Sequence, residues 1–182
     1  MTRYFPLVAS AILICALQAQ QKGAPADLAA DLKQNYTAGK NKIMAAAEEM
    51  PDTGYSFQPT PEERNFGAWV AHLADSQAAF CGMVSGNPKQ LNAASKTSKA
   101  DLQAALKESF EICDAVYDGT TAGNANDNVQ TFRGPRPRAS WLWFNVAHNE
   151  EGYGSMAVYL RLQKLVPPSS QGRGGRMGKG KQ

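Results

Sequence analysis

Three stretches of this chain carry mostly apolar residues at spacings of three and four, and that period is the strongest constraint on its fold. Ala29, Leu32, Tyr36, Gly39, Ile43, Ala46 and Met50 form the first seam, which Pro51 ends. Phe66, Val70, Leu73, Gln77, Phe80 and Val84 form the second, closed by Gly86-Asn87-Pro88. Leu102, Leu106, Phe110, Cys113 and Tyr117 share a third face, with Gly119 near its end. A fourth segment runs from about Ser140 to Lys164 and stops before Pro167-Pro168. An α-helix returns to the same face every 3.6 residues, so the first three segments read as amphipathic helices with one face to bury, and the fourth as a further helix from its start and stop signals.

Local signals mark where the helices begin. Thr60-Pro61-Glu62-Glu63 has the form of a capping box with proline at the first helical position, ahead of the second helix. Ser98-Lys99-Ala100-Asp101 is a second such box, and Ser140 is the expected cap of the fourth helix. Residues 120–139, rich in Gly, Asn, Pro and Arg, read as a long connection without a period-two strand. A connection of that length crosses a bundle or covers a site. The expected fold class is therefore all-α, a four-helix bundle with a long connection before the last helix. No repeat of solenoid period is present.

The ends differ from the body. Met1-Thr2-Arg3 is followed by an uncharged apolar run from Tyr4 to Leu17, then by Leu17-Gln18-Ala19, a small-residue cleavage pattern. Residues 1–19 are expected to be a signal peptide, too short for a comfortable membrane span, with a signal anchor as its rival. Ile14 before Cys15 does not suit lipidation. The expected organisation is a short mature segment over 20–27, a bundle over 28–168 and a disordered Gly/Arg/Lys tail over 169–182. Such a protein is periplasmic or secreted and keeps no stable membrane span after cleavage.

Charge removes one function class. The chain has 19 basic and 16 acidic residues. Arg3 lies in the leader, and Arg173, Arg176, Lys179 and Lys181 lie in the tail. The body thus carries a small negative net charge, and specific nucleic-acid binding is not expected. No phosphate loop, nucleophile elbow or dinucleotide fingerprint appears. After processing, two cysteines remain, Cys81 and Cys113. An oxidising compartment permits them to pair, and both also suit buried helical positions as small hydrophobes.

The chemistry-bearing candidates are the two histidines, His72 and His148, each inside a predicted helix. Asp75 lies one turn after His72, and Glu151 one turn after His148. Imidazoles from facing helices with a carboxylate in reach are the parts with which a bundle holds a divalent metal. Without such a partner, a helical histidine is an ordinary hydrogen-bonded or surface residue, and Asp75, Glu150 and Glu151 are ordinary solvated charges. Trp69, Trp141, Trp143 and Phe144 read as core. Arg133, Arg136 and Arg138 read as a solvated loop, or as groups that meet an anionic substrate at the bundle mouth.

Gly67 to Asp75, the Thr60-Pro61-Glu62 turn, and His148-Asn149-Glu150-Glu151-Gly152-Tyr153-Gly154 followed by Tyr159-Leu160-Arg161-Leu162 resemble the DinB-like superfamily. The resemblance extends from about Leu28 to Ser170. It implies a four-helix bundle, in many members dimeric, so a homodimer is an expectation. It also implies a divalent metal such as zinc, nickel or manganese, bound by one histidine of the second helix and a His-x-x-x-His pair on the last. Relatives include transferases that use low-molecular-weight thiols and presumed hydrolases, so a small-molecule substrate of unknown identity is implied. His72 and His148 match the first two ligands. Gly152 stands where the third histidine belongs, and it has no side chain to ligate with. Three outcomes stay open: Glu151 completes a modified site, water ligands replace the third histidine, or the metal function is lost and a helical binding or structural protein remains.

Overall fold

The computed structural model describes residues 27–171. The expected signal peptide lies outside the described residues, as does the tail from 172 onward. Helix α1 spans Leu28–Glu49, α2 Phe66–Ser85, α3 Lys99–Asp118 and α4 Arg138–Leu162. Two antiparallel strands, β1 (Asn128–Thr131) and β2 (Gly134–Pro137), precede α4. Short 3-10 turns stand at Asp52–Gly54, Ala93–Ser95 and Pro168–Ser170.

Helices α1, α2 and α3 bury the faces their periods select. Every residue of the α1, α2 and α3 seams named above is buried. Helix α1 packs on α3 and α4, and α2 packs on α3 and α4, so one apolar core runs between all four. Tyr36 of α1 stacks on Tyr117 of α3 with ring centroids 3.8 Å apart. The Tyr117 hydroxyl donates to the Leu142 carbonyl at 2.9 Å and accepts from Asn145 Nδ2 at 3.1 Å. A deeply buried phenol thereby keeps both its hydrogen bonds, as burial requires. Cys81 and Cys113 are disulfide-bonded and join α2 to α3.

The helix ends depart from expectation in two places. Glu63 N–H reaches the Thr60 carbonyl at 3.2 Å, which closes a turn, but the helix starts later. Asn65 is the N-cap of α2, its side-chain oxygen accepting from Ala68 N–H at 2.7 Å. Helix α4 begins at Arg138, ahead of Ser140. Its first donors, Arg138 N–H and Ala139 N–H, reach the carbonyls of Asp127 and Ala125 at 2.8 and 2.9 Å. Carbonyls of the preceding loop satisfy the orphan donors, so no serine cap is needed. Ser98 does cap α3, accepting from Asp101 N–H at 3.0 Å. Gly86 ends α2 in the left-handed region at φ 72°, a conformation glycine adopts freely.

The connection before α4 is more ordered than its composition implies. Val129 pairs with Arg136 and Thr131 with Gly134, around a turn at Phe132-Arg133. Pro135 and Pro137 fall at alternate positions, where a two-stranded ribbon needs no N–H donor. The boundary expected after residue 168 also moves. Ser169 N–H donates to the Tyr153 hydroxyl at 2.8 Å, and Arg161 donates to Ser170 Oγ at 3.0 Å, so these residues belong to the folded body. Among the described residues no helix is long and apolar enough to cross a membrane.

Candidate metal centre

The site is built where α2 and α4 face one another. His72 and His148 are both half-buried, and their Nε2 atoms stand 3.1 Å apart, with ring centroids 4.9 Å apart. Two residues 76 positions apart in sequence are brought to contact by the bundle alone. Aromatic rings hold them in place. Trp69 lies edge-on to His72 at 5.9 Å, and Phe80 edge-on to His148 at 5.2 Å. Phe144 adds a third wall 6.5 Å from His148.

This environment disfavours the charged form of both imidazoles. Burial pushes His72 below the ordinary histidine value, and the Arg64 guanidinium pushes the same way, while Glu151 and Asp75 oppose. For His148 burial again leads, joined by His72 and Arg64, with Glu151 opposing. A neutral imidazole offers a nitrogen lone pair, which is the form a metal needs.

The carboxylates divide. Asp75 is committed elsewhere: its two oxygens accept from Ala93 N–H at 2.9 Å and Ala94 N–H at 3.1 Å, capping the short 3-10 turn. Glu150 forms an ion pair with Lys42 of α1 at 2.5 Å. Glu151 is exposed on α4, and its charge reaches both histidines. Among the described residues no group of three or more His, Cys, Asp and Glu side chains stands in metal-holding geometry.

Gly152 has a packing role. A Cβ at that position would lie 2.6 Å from Leu73 Cδ2 and 3.1 Å from Leu73 Cγ. The absence of a side chain lets α4 approach α2 closely one turn from the histidines, and Leu73, fully buried, fills the space. Sequence reasoning found the missing ligand but not its replacement by a leucine from the facing helix.

The donor set can be tested against a divalent ion. Two nitrogens 3.1 Å apart can both reach one ion at the usual zinc–nitrogen length of about 2.0–2.1 Å. Two imidazoles are fewer than the three protein ligands of an ordinary catalytic zinc site. His148 Nδ1 is buried without a hydrogen-bond partner, so the carboxylate or carbonyl that normally fixes a ligand histidine's tautomer is missing. The two imidazoles, His72 and His148, are the residues that would hold such an ion.

A cleft of about 700 Å³ opens beside His72, lined by Tyr55, Arg64, Asn65, Asp75, Lys96 and Thr97 among others. Arg64 stacks over the Trp69 ring at 4.9 Å. On the other flank, Arg133 at the hairpin turn stacks over Phe144 at 4.4 Å. Trp69 and Trp141 are buried as expected, whereas Trp143 is exposed.

A four-helix bundle with facing histidines on its second and fourth helices defines a class of bundle proteins. The particular family follows from comparison. The model of the DinB superfamily matches residues 35–155, and this chain belongs to that family. Its fold is similar to a DinB-like protein of Bacillus cereus, at TM-score 0.66 and 16% identity, over 75% of this chain and 93% of the other. It is also similar to a DinB-like protein of Bacillus subtilis, at TM-score 0.60 and 19% identity, over 74% and 92%. Comparison with curated proteins gave no match.

Proposed function

We propose that His72 and His148 hold a divalent metal and that the protein is an exported metal-dependent hydrolase or thiol-dependent transferase acting on a small molecule in the adjoining cleft. The contact of the two Nε2 atoms, at 3.1 Å, carries this reading. The two rings would hold the ion, and its chemistry would be to lower the pKa of a bound water or thiol. The chain's own residues do the rest. Trp69, Phe80 and Phe144 wall the rings from bulk water and fix their orientation. Glu151, one turn above His148, supplies negative charge that favours a cation at the rings. The Cys81–Cys113 disulfide supports export, since such bonds persist in oxidising compartments.

A second reading is a non-catalytic helical binding or structural protein with a degenerate site. The packing of Leu73 into the space at Gly152 favours it, because the bundle has closed over the position of the third ligand.

One titration separates the two. Zinc, nickel and manganese are titrated into chelator-stripped protein and into the H72A/H148A double variant, with calorimetry and elemental analysis as readouts. Stoichiometric binding by the parent and none by the variant supports the metalloenzyme. Equal binding by both, or by neither, leaves the degenerate bundle.

A further inference from the structure

Each histidine of the pair is flanked by an aromatic ring, and each of those rings carries an arginine. On the His72 side, Trp69 bears Arg64 at 4.9 Å from its centroid. On the His148 side, Phe144 bears Arg133 at 4.4 Å. Both arginines are exposed. The ion pairs of the described residues are all made by lysines, and neither guanidinium is within 4.0 Å of a carboxylate. Neither makes a side-chain hydrogen bond to a described residue. Stacking on an aromatic face holds a guanidinium in one plane while leaving its edge, with its N–H donors, unused.

That arrangement leaves the edge of each guanidinium free to donate to a ligand's oxygens. The cleft lining also holds Lys96 and two carboxylates: Asp75, whose oxygens accept from two backbone N–H groups, and Asp52, which lies 4.0 Å from Lys99. The start of α2, which also lines the cleft, offers no donors of its own. Phe66, Gly67, Ala68 and Trp69 N–H groups are bound to Phe57, Tyr55 and Asn65 oxygens. Anion recognition in the cleft therefore falls to side chains.

We propose that the cleft beside His72 takes a small oxyanion-bearing molecule, a carboxylate or phosphate compound, anchored by Arg64. This inference rests on the cleft being the binding site but not on a metal being bound there. Arg64, stacked beside His72 in the cleft wall, is the specificity residue. A planar guanidinium accepts a carboxylate or phosphate through two parallel hydrogen bonds, which orients the ligand's anionic end and directs the remainder of the molecule toward the rings.

The test is a binding titration on full-length, chelator-stripped protein, followed by the ring proton signals of His72 and His148 and the indole N–H signal of Trp69. Acetate and inorganic phosphate are the probes, and acetamide is the neutral control. Both anions should shift all three signals saturably, acetamide should not, and the preferred anion names the class. In R64Q the affinity should fall at least tenfold, with circular dichroism unchanged. R64K, which keeps the charge and loses the planar fork, should recover only part of the loss. Equal affinity in R64Q and parent, an equal response to acetamide, or shifts confined to residues away from the histidines would each overturn the proposal. A parent protein that binds no zinc yet passes this test would fail the metal reading and keep the anion site. Zinc binding with no saturable response to either anion would keep the metal and overturn the anion site.

Discussion

Leu73 of α2 occupies the space that any side chain at Gly152 of α4 would need, with 2.6 Å between its Cδ2 and the position of a Cβ. A histidine introduced at 152 cannot simply complete a ligand set. It must first displace a fully buried leucine. Overpacking of this kind costs about 1–3 kcal/mol. We expect G152H to lower the urea midpoint without restoring tight metal binding. The double variant L73A/G152H should be more stable than the sum of its single changes implies, because each relieves the other. Strictly additive urea midpoints would show that the two positions do not share this space.

The disulfide joining Cys81 and Cys113 closes a loop across 32 residues of sequence separation, and both cysteines are fully buried. Cross-linking a loop of that length removes unfolded-state freedom worth about 3–4 kcal/mol. The C81A/C113A variant should lose stability of that order in chemical denaturation. Reductant added to native parent protein should act slowly, because the bond becomes accessible only on opening. Rapid reduction under native conditions would contradict the burial.

Acid should destabilise the metal-free protein through the histidine pair. Both rings have folded pKa values below the ordinary histidine value. Above about 6.5 both folded and unfolded forms are neutral, and the contribution is constant. As pH falls through that value, the unfolded chain takes up protons that the folded pair resists, so stability drops until the folded values are reached. Melting temperature measured from pH 8 to pH 5 should therefore fall at the acid end. Replacement of both histidines by glutamine should flatten that fall, and an unchanged slope would mean that other groups carry it.

Tyr117 offers a cleaner test of core energetics. Its hydroxyl serves Leu142 and Asn145 in a buried position. Y117F keeps the ring stacked on Tyr36 and removes only the oxygen. Losing two buried hydrogen bonds, each worth about 0.5–1.5 kcal/mol net, is a change that equilibrium unfolding would register. A loss within experimental error would imply that water takes the hydroxyl's place.

The parts of this fold readable in the sequence are those set by period. Ala29 through Met50, Phe66 through Val84 and Leu102 through Tyr117 are buried as their spacing requires, because one helix face decides it. What sequence missed was set by partners distant along the chain or by weak local signals. Arg138 begins a helix because the carbonyls of Ala125 and Asp127 meet its first donors. The hairpin at Asn128–Pro137 buries only Val129, so its strands carry no alternating signature. Asn65 caps α2, and a lone asparagine is a weak signal beside the Thr60-Pro61 turn ahead of it. At the site, His72 and His148 were legible from the family pattern, and Gly152 was legible as a gap. That Leu73 fills the gap, and that Arg64 and Arg133 stack beside the rings, depends on how α2, α4 and the hairpin come together. Neither spacing nor composition encodes such approaches.

The covalent link between α2 and α3 leaves the α2–α4 seam held by packing and hydrogen bonds without a covalent bond, and both imidazoles sit on that seam. Anything that grips the two rings at once would therefore act as a second fastener, placed where the first does not reach. Its affinity would be read directly as a gain in folding stability that grows with the logarithm of its concentration. A plain thermal-shift screen of metal salts could thus detect the occupant before any reaction is known.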